Sequence, residues 1–250
     1  MERQSRFSYQ CNQCGLCCHQ KVITLSPYDV LRIARSRSIA TSEAVRRFTS
    51  RRGSLLRFEA DGGCSALREN RCSVHEGRPL ACRLYPLGVE RTEAGERLIQ
   101  LDAEPLSHGT YGVDGTAGEF IDAQGVQPYF RALERYRALV PEMRARVDAM
   151  VDFERVEPRD FWRRAVIEAL LESNFDPNPL IEAIFDPDGL GCARETEDET
   201  IRAHVEKLGE MAAREDDAER LASAAVALAI SLGYAPGEAI AGDRSAARSL

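Results

Sequence analysis

Lysine is nearly absent from this sequence. Lys21 and Lys207 are the only two, so arginine supplies almost all of the positive charge, an excess we read as codon usage rather than function. Aromatic residues are sparse, with one tryptophan, and no stripe of Lys or Arg interleaves with them, which argues against a nucleic-acid partner. Long apolar runs are missing too. The longest, Ala222 to Leu232, is interrupted by Ser223 and Ser231 and is too short to span a bilayer. The polar start, Met1-Glu2-Arg3-Gln4-Ser5-Arg6, lacks the apolar stretch of a signal segment. The expectation is a cytoplasmic protein with no membrane partner. A reducing compartment in turn makes structural disulfides a poor explanation for its cysteines.

What the chain has in excess is thiol, in one place. Four cysteines fall in Cys11-Asn12-Gln13-Cys14-Gly15-Leu16-Cys17-Cys18; Cys64, Cys72 and Cys82 follow, and the rest of the 250 residues holds only Cys192. Thiols this dense form disulfides, hold a metal or do redox chemistry. Spacing of i, i+3 and i+6 lets a tight turn aim three sulfurs inward, with Gly15 free to take a positive φ. That spacing is shared with ferredoxin-type iron–sulfur loops. It also suits zinc, which takes paired cysteines from a turn and further ligands from a second element. The adjacent pair Cys17-Cys18 is unusual in both, because neighbouring side chains diverge. The candidate metal ligands are Cys11, Cys14, Cys17, Cys18, Cys64, Cys72 and Cys82. His75, in Cys72-x-x-His75, is a further candidate and His19 a weaker one; His108 and His204 are expected to be solvated, and Cys192 to be a buried free thiol.

Charge is unevenly spread. Residues 1–90 carry 15 Lys and Arg against 8 Asp and Glu, a balance of +7, and the remaining residues carry −14, giving the net −7. Thiolates around a metal are collectively negative, and neighbouring arginines would offset them.

In chain order, Val22–Leu25 reads as a short strand. Ser26-Pro27 opens a helix with serine as N-cap, proline at the first helical position and Asp29 in the first turn. Thr41 is expected to cap a second helix to about Phe48, and 54–59 to be extended. A hairpin through Arg68-Glu69-Asn70 would bring Cys64 and Cys72 together. Pro79 and Pro86 leave room for one helical turn around Cys82, and 87–90 with 97–101 suggest another hairpin. Residues 102–115 look Gly-rich and irregular. From Thr116-Ala-Gly-Glu119, a capping box, the pattern is helical. Helices are expected at 127–140 and on to 152 across Pro141, at 159–172, at 179–185, and from a second box at Thr196-x-x-Glu199 to Leu232. The fold class expected is α+β: a small cysteine-rich N-terminal domain (1–125) with short strands and helices, then a mostly helical region (126–236) packed on it or binding a protein partner. A frayed tail (237–250) closes the chain.

The motif Cys-x-x-Cys-Gly-x-Cys-Cys, followed by Ser26-Pro27-x-Asp29-Val30, resembles the YkgJ-type CxxCxxCC cysteine-cluster family. So does Cys64 with Cys72-Ser-Val-His-Glu-Gly-Arg78-Pro79-Leu-Ala-Cys82-Arg83-Leu-Tyr85-Pro86. The resemblance covers roughly residues 8–130 and implies zinc or iron chelation, or an iron–sulfur cluster. Arg78 and Arg83 match the family's arginines and are expected beside the thiolates, bonding backbone or offsetting charge. Members often carry a further cysteine before a proline where this chain has Glu104-Pro105, which leaves the ligand count open. The resemblance also points to flagellin lysine N-methylases, which use S-adenosylmethionine, but no G-x-G-x-x-G fingerprint marks a separate cofactor domain here.

Three readings follow. The chain is a cytoplasmic protein holding an iron–sulfur cluster or zinc; or an enzyme using that centre for redox or methyl-transfer chemistry; or a structural zinc module. An open pocket lined by His75, Arg78, Arg83 or Tyr85 would favour the enzyme, and closed tetrahedral sites the module.

Overall fold

Ser26 begins the first long helix. Its hydroxyl accepts the Asp29 N–H at 3.2 Å while the Asp29 carboxylate accepts the Ser26 N–H at 2.7 Å, a reciprocal capping box that orients α1 (Pro27–Arg37). Val30, Leu31, Ile33 and Ala34 bury its apolar face completely. Ser38, in the left-handed region (φ 53°), ends the helix, and α2 (Thr41–Phe48) follows. Ala40, not Thr41, is the N-cap of α2; the Thr41 hydroxyl instead donates to Asp186 at 2.5 Å.

The computed structural model describes residues 1–92, 95–102, 104, 107–170 and 177–234. Within them the N-terminal part carries four two-stranded sheets. β1 (Arg6–Gln10) pairs antiparallel with a distant strand, β8 (Thr110–Thr116). β2 (Thr49–Ser50) pairs with β3 (Leu55–Leu56), and β4 (Leu67–Arg68) with β5 (Arg71–Cys72). β6 (Leu87–Thr92) pairs with β7 (Gly95–Gln100), and the single turn α3 (Leu80–Leu84) precedes them.

Two expectations need correction. Val22–Leu25 is not a strand: Thr24 makes an isolated bridge to Leu55, closed by the Leu25 N–H on the Ser54 carbonyl and the Leu56 N–H on the Ile23 carbonyl, and the ladder extends no further. Residues 110–115, expected to be irregular, belong to β8 because β1, where Phe7 and Tyr9 alternate with polar residues, supplies a partner from about a hundred positions away. Of 54–59, only Leu55–Leu56 is strand.

The helical part is α4 (Ala117–Ala123), α5 (Gln127–Arg137), α6 (Leu139–Met150), α7 (Pro158–Leu170), α8 (Pro179–Ile184), α9 (Glu197–Arg214) and α10 (Ala218–Ser231). Both expected capping boxes form, at Thr116/Glu119 and Thr196/Glu199. Pro141 restarts rather than ends the helix: it lies in the first turn of α6, where its missing N–H costs nothing. The end of the 159–172 expectation and the tail from 237 lie outside the described residues.

α10 is buried from Leu221 through Ser231 and packs against α6, α7 and α8, so its apolar face is core. One apolar cluster runs from Leu25 to Leu232 and crosses the expected boundary near 125. Polar contacts cross it as well. Arg32 pairs with Glu197 at 2.6 Å, Arg35 grips Asp188 through two bonds of 2.7 and 2.9 Å, and the Tyr28 and Tyr129 rings meet edge to face at 4.9 Å. A smaller cluster around Phe7, Leu87, Phe120 and Ile121 joins β1, β6 and α4.

Candidate metal centre

The cysteine loop starts where β1 ends. Its entry is tied by the Asn12 amide, which donates to the His108 carbonyl at 2.6 Å, and its turn is made by Gln13 (φ 54°) and Gly15 (φ 75°). A Cβ on Gly15 would lie 2.6 Å from the Asn70 carbonyl and 2.9 Å from Leu67 Cδ1, so the turn rests directly on the β4–β5 hairpin. That hairpin turns through Glu69 and Asn70, both with positive φ, as a tight two-residue loop requires. Just beyond the turn the Cys64 N–H donates to the Cys18 carbonyl at 2.9 Å, with a further bridge from His19 to Gly63. Local backbone pairing thus sets the first cysteine loop against Cys64 and Cys72.

Cys82 arrives on α3, and Asp29 holds that helix. Asp29 is almost fully buried, and beyond its role in α1 it accepts the Leu80 N–H at 2.7 Å. One carboxylate therefore caps two helices, α1 and the turn that carries Cys82.

All seven candidate ligands, Cys11, Cys14, Cys17, Cys18, Cys64, Cys72 and Cys82, line a single cavity of about 590 Å³. Cys11 is exposed, Cys64 is buried and the other five are half-buried. His75, Arg78 and Tyr85 line the same cavity; His19 does not. Cys192 is buried elsewhere, in the loop after α8, as expected of an inert thiol. His204 corrects its expectation. It is completely buried, with Nε2 on the Ala183 carbonyl (2.9 Å) and Nδ1 on the Tyr136 hydroxyl (2.6 Å). His108 is exposed, and its backbone N–H donates to Cys14 Sγ at 3.4 Å.

The thiols sense one another. Cys17 and Cys18 sulfurs stand 4.0 Å apart; the hydrogen bond from Cys18 pushes Cys17 down to about 7, and the same bond with burial pushes Cys18 up. Burial, followed by the neighbouring Cys72, Cys64 and Cys17, raises Cys82. Burial also raises Cys64 and Cys72. Such a set resists collecting negative charge unless a cation is supplied. Arg78 supplies part of it. It lines the cavity and bonds only neutral acceptors among the described residues: the His75 carbonyl at 3.0 Å, Gln124 Oε1 at 3.1 Å and His75 Nδ1 at 3.4 Å. Arg83 is turned away from the thiols. It braces the chain by bonding the carbonyls of Arg78, Gln124 and Glu76, and it lies over the Tyr129 ring. Glu104 is engaged by Lys21 at 2.7 Å.

Among the described residues, no three His, Cys, Asp or Glu side chains stand in coordinating geometry around one point. The donor set nevertheless fits a thiophilic metal. Seven thiols line one space, and His75, which lines it too, has its Nε2 buried with no hydrogen-bond partner. Burial lowers the His75 pKa, followed by the nearby Arg78, which keeps the imidazole neutral. Sequence reasoning missed Tyr9 and Arg137, which also line the cavity and carry no motif that would mark them.

Residues 10–99 match the model of the CxxCxxCC family, described as "Putative zinc- or iron-chelating domain". The matched stretch covers 90 of the 250 residues and contains all seven clustered cysteines. A curated relative, an uncharacterized protein of Methanocaldococcus jannaschii, is 33% identical over 89 residues, which is 33% of this chain and 47% of that protein. The chain thus spans about half the length of the curated relative it matches. No solved structure matches the chain. The domain match supports metal binding in general, of the zinc or iron kind, and no described helix is long and apolar enough to cross a membrane.

Proposed function

We propose that this is a cytoplasmic metalloprotein in which Cys11, Cys14, Cys17, Cys18, Cys64, Cys72 and Cys82 furnish the ligands of an iron–sulfur cluster. The observation that carries the reading is the convergence of seven thiols, from four separated segments, on one cavity. Four thiols suffice to close around a zinc ion, whereas seven around a space of about 590 Å³ suit a larger inorganic group with ligands to spare. When bound, such a cluster supplies electron transfer or, at an open iron, polarisation of a ligand. The chain's own residues supply the rest: Arg78 offsets thiolate charge, Asp29 and Arg83 hold the Cys82 turn in place, and His75 backs Arg78 on the cavity wall.

The same cavity favours a catalytic role over a closed structural zinc module, because His75, Arg78 and Tyr85 share it with the thiols.

The test is metal and acid-labile sulfide content, with an absorption spectrum, on protein purified without oxygen. Iron with matching sulfide and absorption near about 400 nm is expected of an iron–sulfur protein. Stoichiometric zinc without sulfide would replace the cluster with a zinc site. Free thiols with neither metal would end the metal reading.

A further inference from the structure

A second cavity, of about 280 Å³, shares no wall residue with the thiol cavity. It lies at the first turn of α5, between α1 and the start of α9, and Arg32, Arg83 and Arg131 line it together with the carboxylates Glu197 and Asp198. Those carboxylates are already answered. Glu197 accepts from Arg32 at 2.6 Å and from the Tyr28 hydroxyl at 2.5 Å. Asp198 is paired with Arg135 at 3.0 Å and with Arg202 at 2.6 Å, neither of which is on the wall. Two guanidinium charges are left over. Arg83 bonds only neutral acceptors, the carbonyls of Arg78, Gln124 and Glu76 and the Tyr129 hydroxyl. Arg131 is exposed and makes no hydrogen bond or ion pair among the described residues. The start of α5 adds to this charge: it has no side-chain cap and no acidic residue in its first turn, so nothing on the helix itself offsets its positive partial charge. Like charge gathered in a cleft draws in the opposite charge.

We propose that this second cavity binds a small oxyanion of the phosphate class, free phosphate or a phosphomonoester of a few carbon atoms, with Arg83 and Arg131 as its cations. Arginine keeps its charge at any physiological pH, and its N–H groups form a fork that matches phosphate oxygens. Two uncompensated cations match the charge of a phosphate dianion. The volume lies just under the usual range for organic ligands, which limits the body of the ligand to a few heavy atoms. Glu197 and Asp198 on the same wall stand against a longer, more highly charged polyphosphate. The inference does not depend on a metal being held, because no thiol lies on this wall.

The test titrates the full chain as purified, by calorimetry at low ionic strength, with inorganic phosphate and with glycerol 3-phosphate, and with acetate as the singly charged control. Saturable one-to-one binding of at least one phosphate species is expected, with acetate at least about tenfold weaker, and the tighter of the two phosphates identifies the ligand's form. Arg131→Gln should weaken that binding at least about fivefold, as loss of a charge-assisted contact implies. Asp198→Asn should act in the opposite direction and tighten it, because a repelling carboxylate leaves the wall. Arg163→Gln, which removes an exposed cation on α7 away from the cavity, should change it by no more than about twofold. Arg131 has no partner to lose, so its variant is expected to fold, and thermal unfolding of each protein checks this. Absence of saturable phosphate binding, an equal loss in Arg163→Gln, or weaker binding in a folded Asp198→Asn would overturn the proposal. So would unchanged affinity in a folded Arg131→Gln, which would place the anion elsewhere, at the metal centre included.

Discussion

His204 shows how far a single residue can depart from what its neighbours in sequence suggest. Between Ala203 and Val205 on a charged helix it reads as a surface histidine, yet it is sealed between Tyr136 and the Ala183 carbonyl. Burial pushes its pKa from 6.5 to about 4. Because the folded value is the lower one, the unfolded chain binds the extra proton between pH 4 and 6.5. Stability from this residue is therefore complete above about pH 6.5 and is lost as the pH falls towards 4, by roughly 3 kcal/mol in all. Urea unfolding midpoints across that window are expected to fall with pH in the parent protein and to flatten in His204→Gln. An unchanged slope in the variant would assign the acid sensitivity to another group. Cys192, by contrast, behaves as a solitary cysteine among apolar residues should, buried and unpaired.

Capping chemistry explains why the Cys82 turn holds at the scale of elements. α3 has five residues, too few to persist on its own, and its N-cap is proline, which offers no side-chain acceptor. Asp29 supplies that acceptor from α1. Asp29→Ala leaves the buried Ser26 N–H and the half-buried Leu80 N–H unmet and is expected to cost about 3 kcal/mol of stability, two unsatisfied donors at about 1–3 kcal/mol each. It should also lower metal content per chain more than an equally destabilising core change such as Leu228→Ala. Denaturant midpoints and metal analysis on the folded fraction check both, and full metal content in a folded Asp29→Ala would remove the positioning role. Asp29→Asn, which keeps one oxygen acceptor, should fall between. The helix starts at Ser26, Thr116 and Thr196 were legible in the sequence because capping boxes are local patterns of three or four residues. β1 and β8 were not. Their pairing joins residues about a hundred positions apart, so the Phe7/Tyr9 alternation of β1 does not say which strand it meets, and the glycines of β8 interrupt its own short pattern.

In the whole molecule, the thiol cavity and the helical bundle are parts of one packed structure. Metal binding at the cavity should therefore be felt as global stability, since a ligand that binds only the folded chain raises its melting temperature. Chelator treatment of the metal-loaded protein is expected to lower Tm by several degrees, at roughly 2–4 °C per kcal/mol for a chain of this size. Calorimetry of Cys82→Ser with and without chelator should show that difference greatly reduced. Cys192→Ser, whose thiol lies outside the cavity, should keep it. If both variants behave alike, the cavity thiols are not what holds the metal.

The cysteine loop, the hairpin around Glu69-Asn70, the helix caps and the kind of chemistry on offer are all written in short stretches of sequence, because each depends on residues within a turn or two of one another. Which thiols share a space, and that Arg78 faces them while Arg83 turns away, were decided only by the tertiary structure. Those relations join residues tens to more than a hundred positions apart, and they follow from how α1, the hairpins and the helical bundle bury their apolar faces together, which no local pattern encodes.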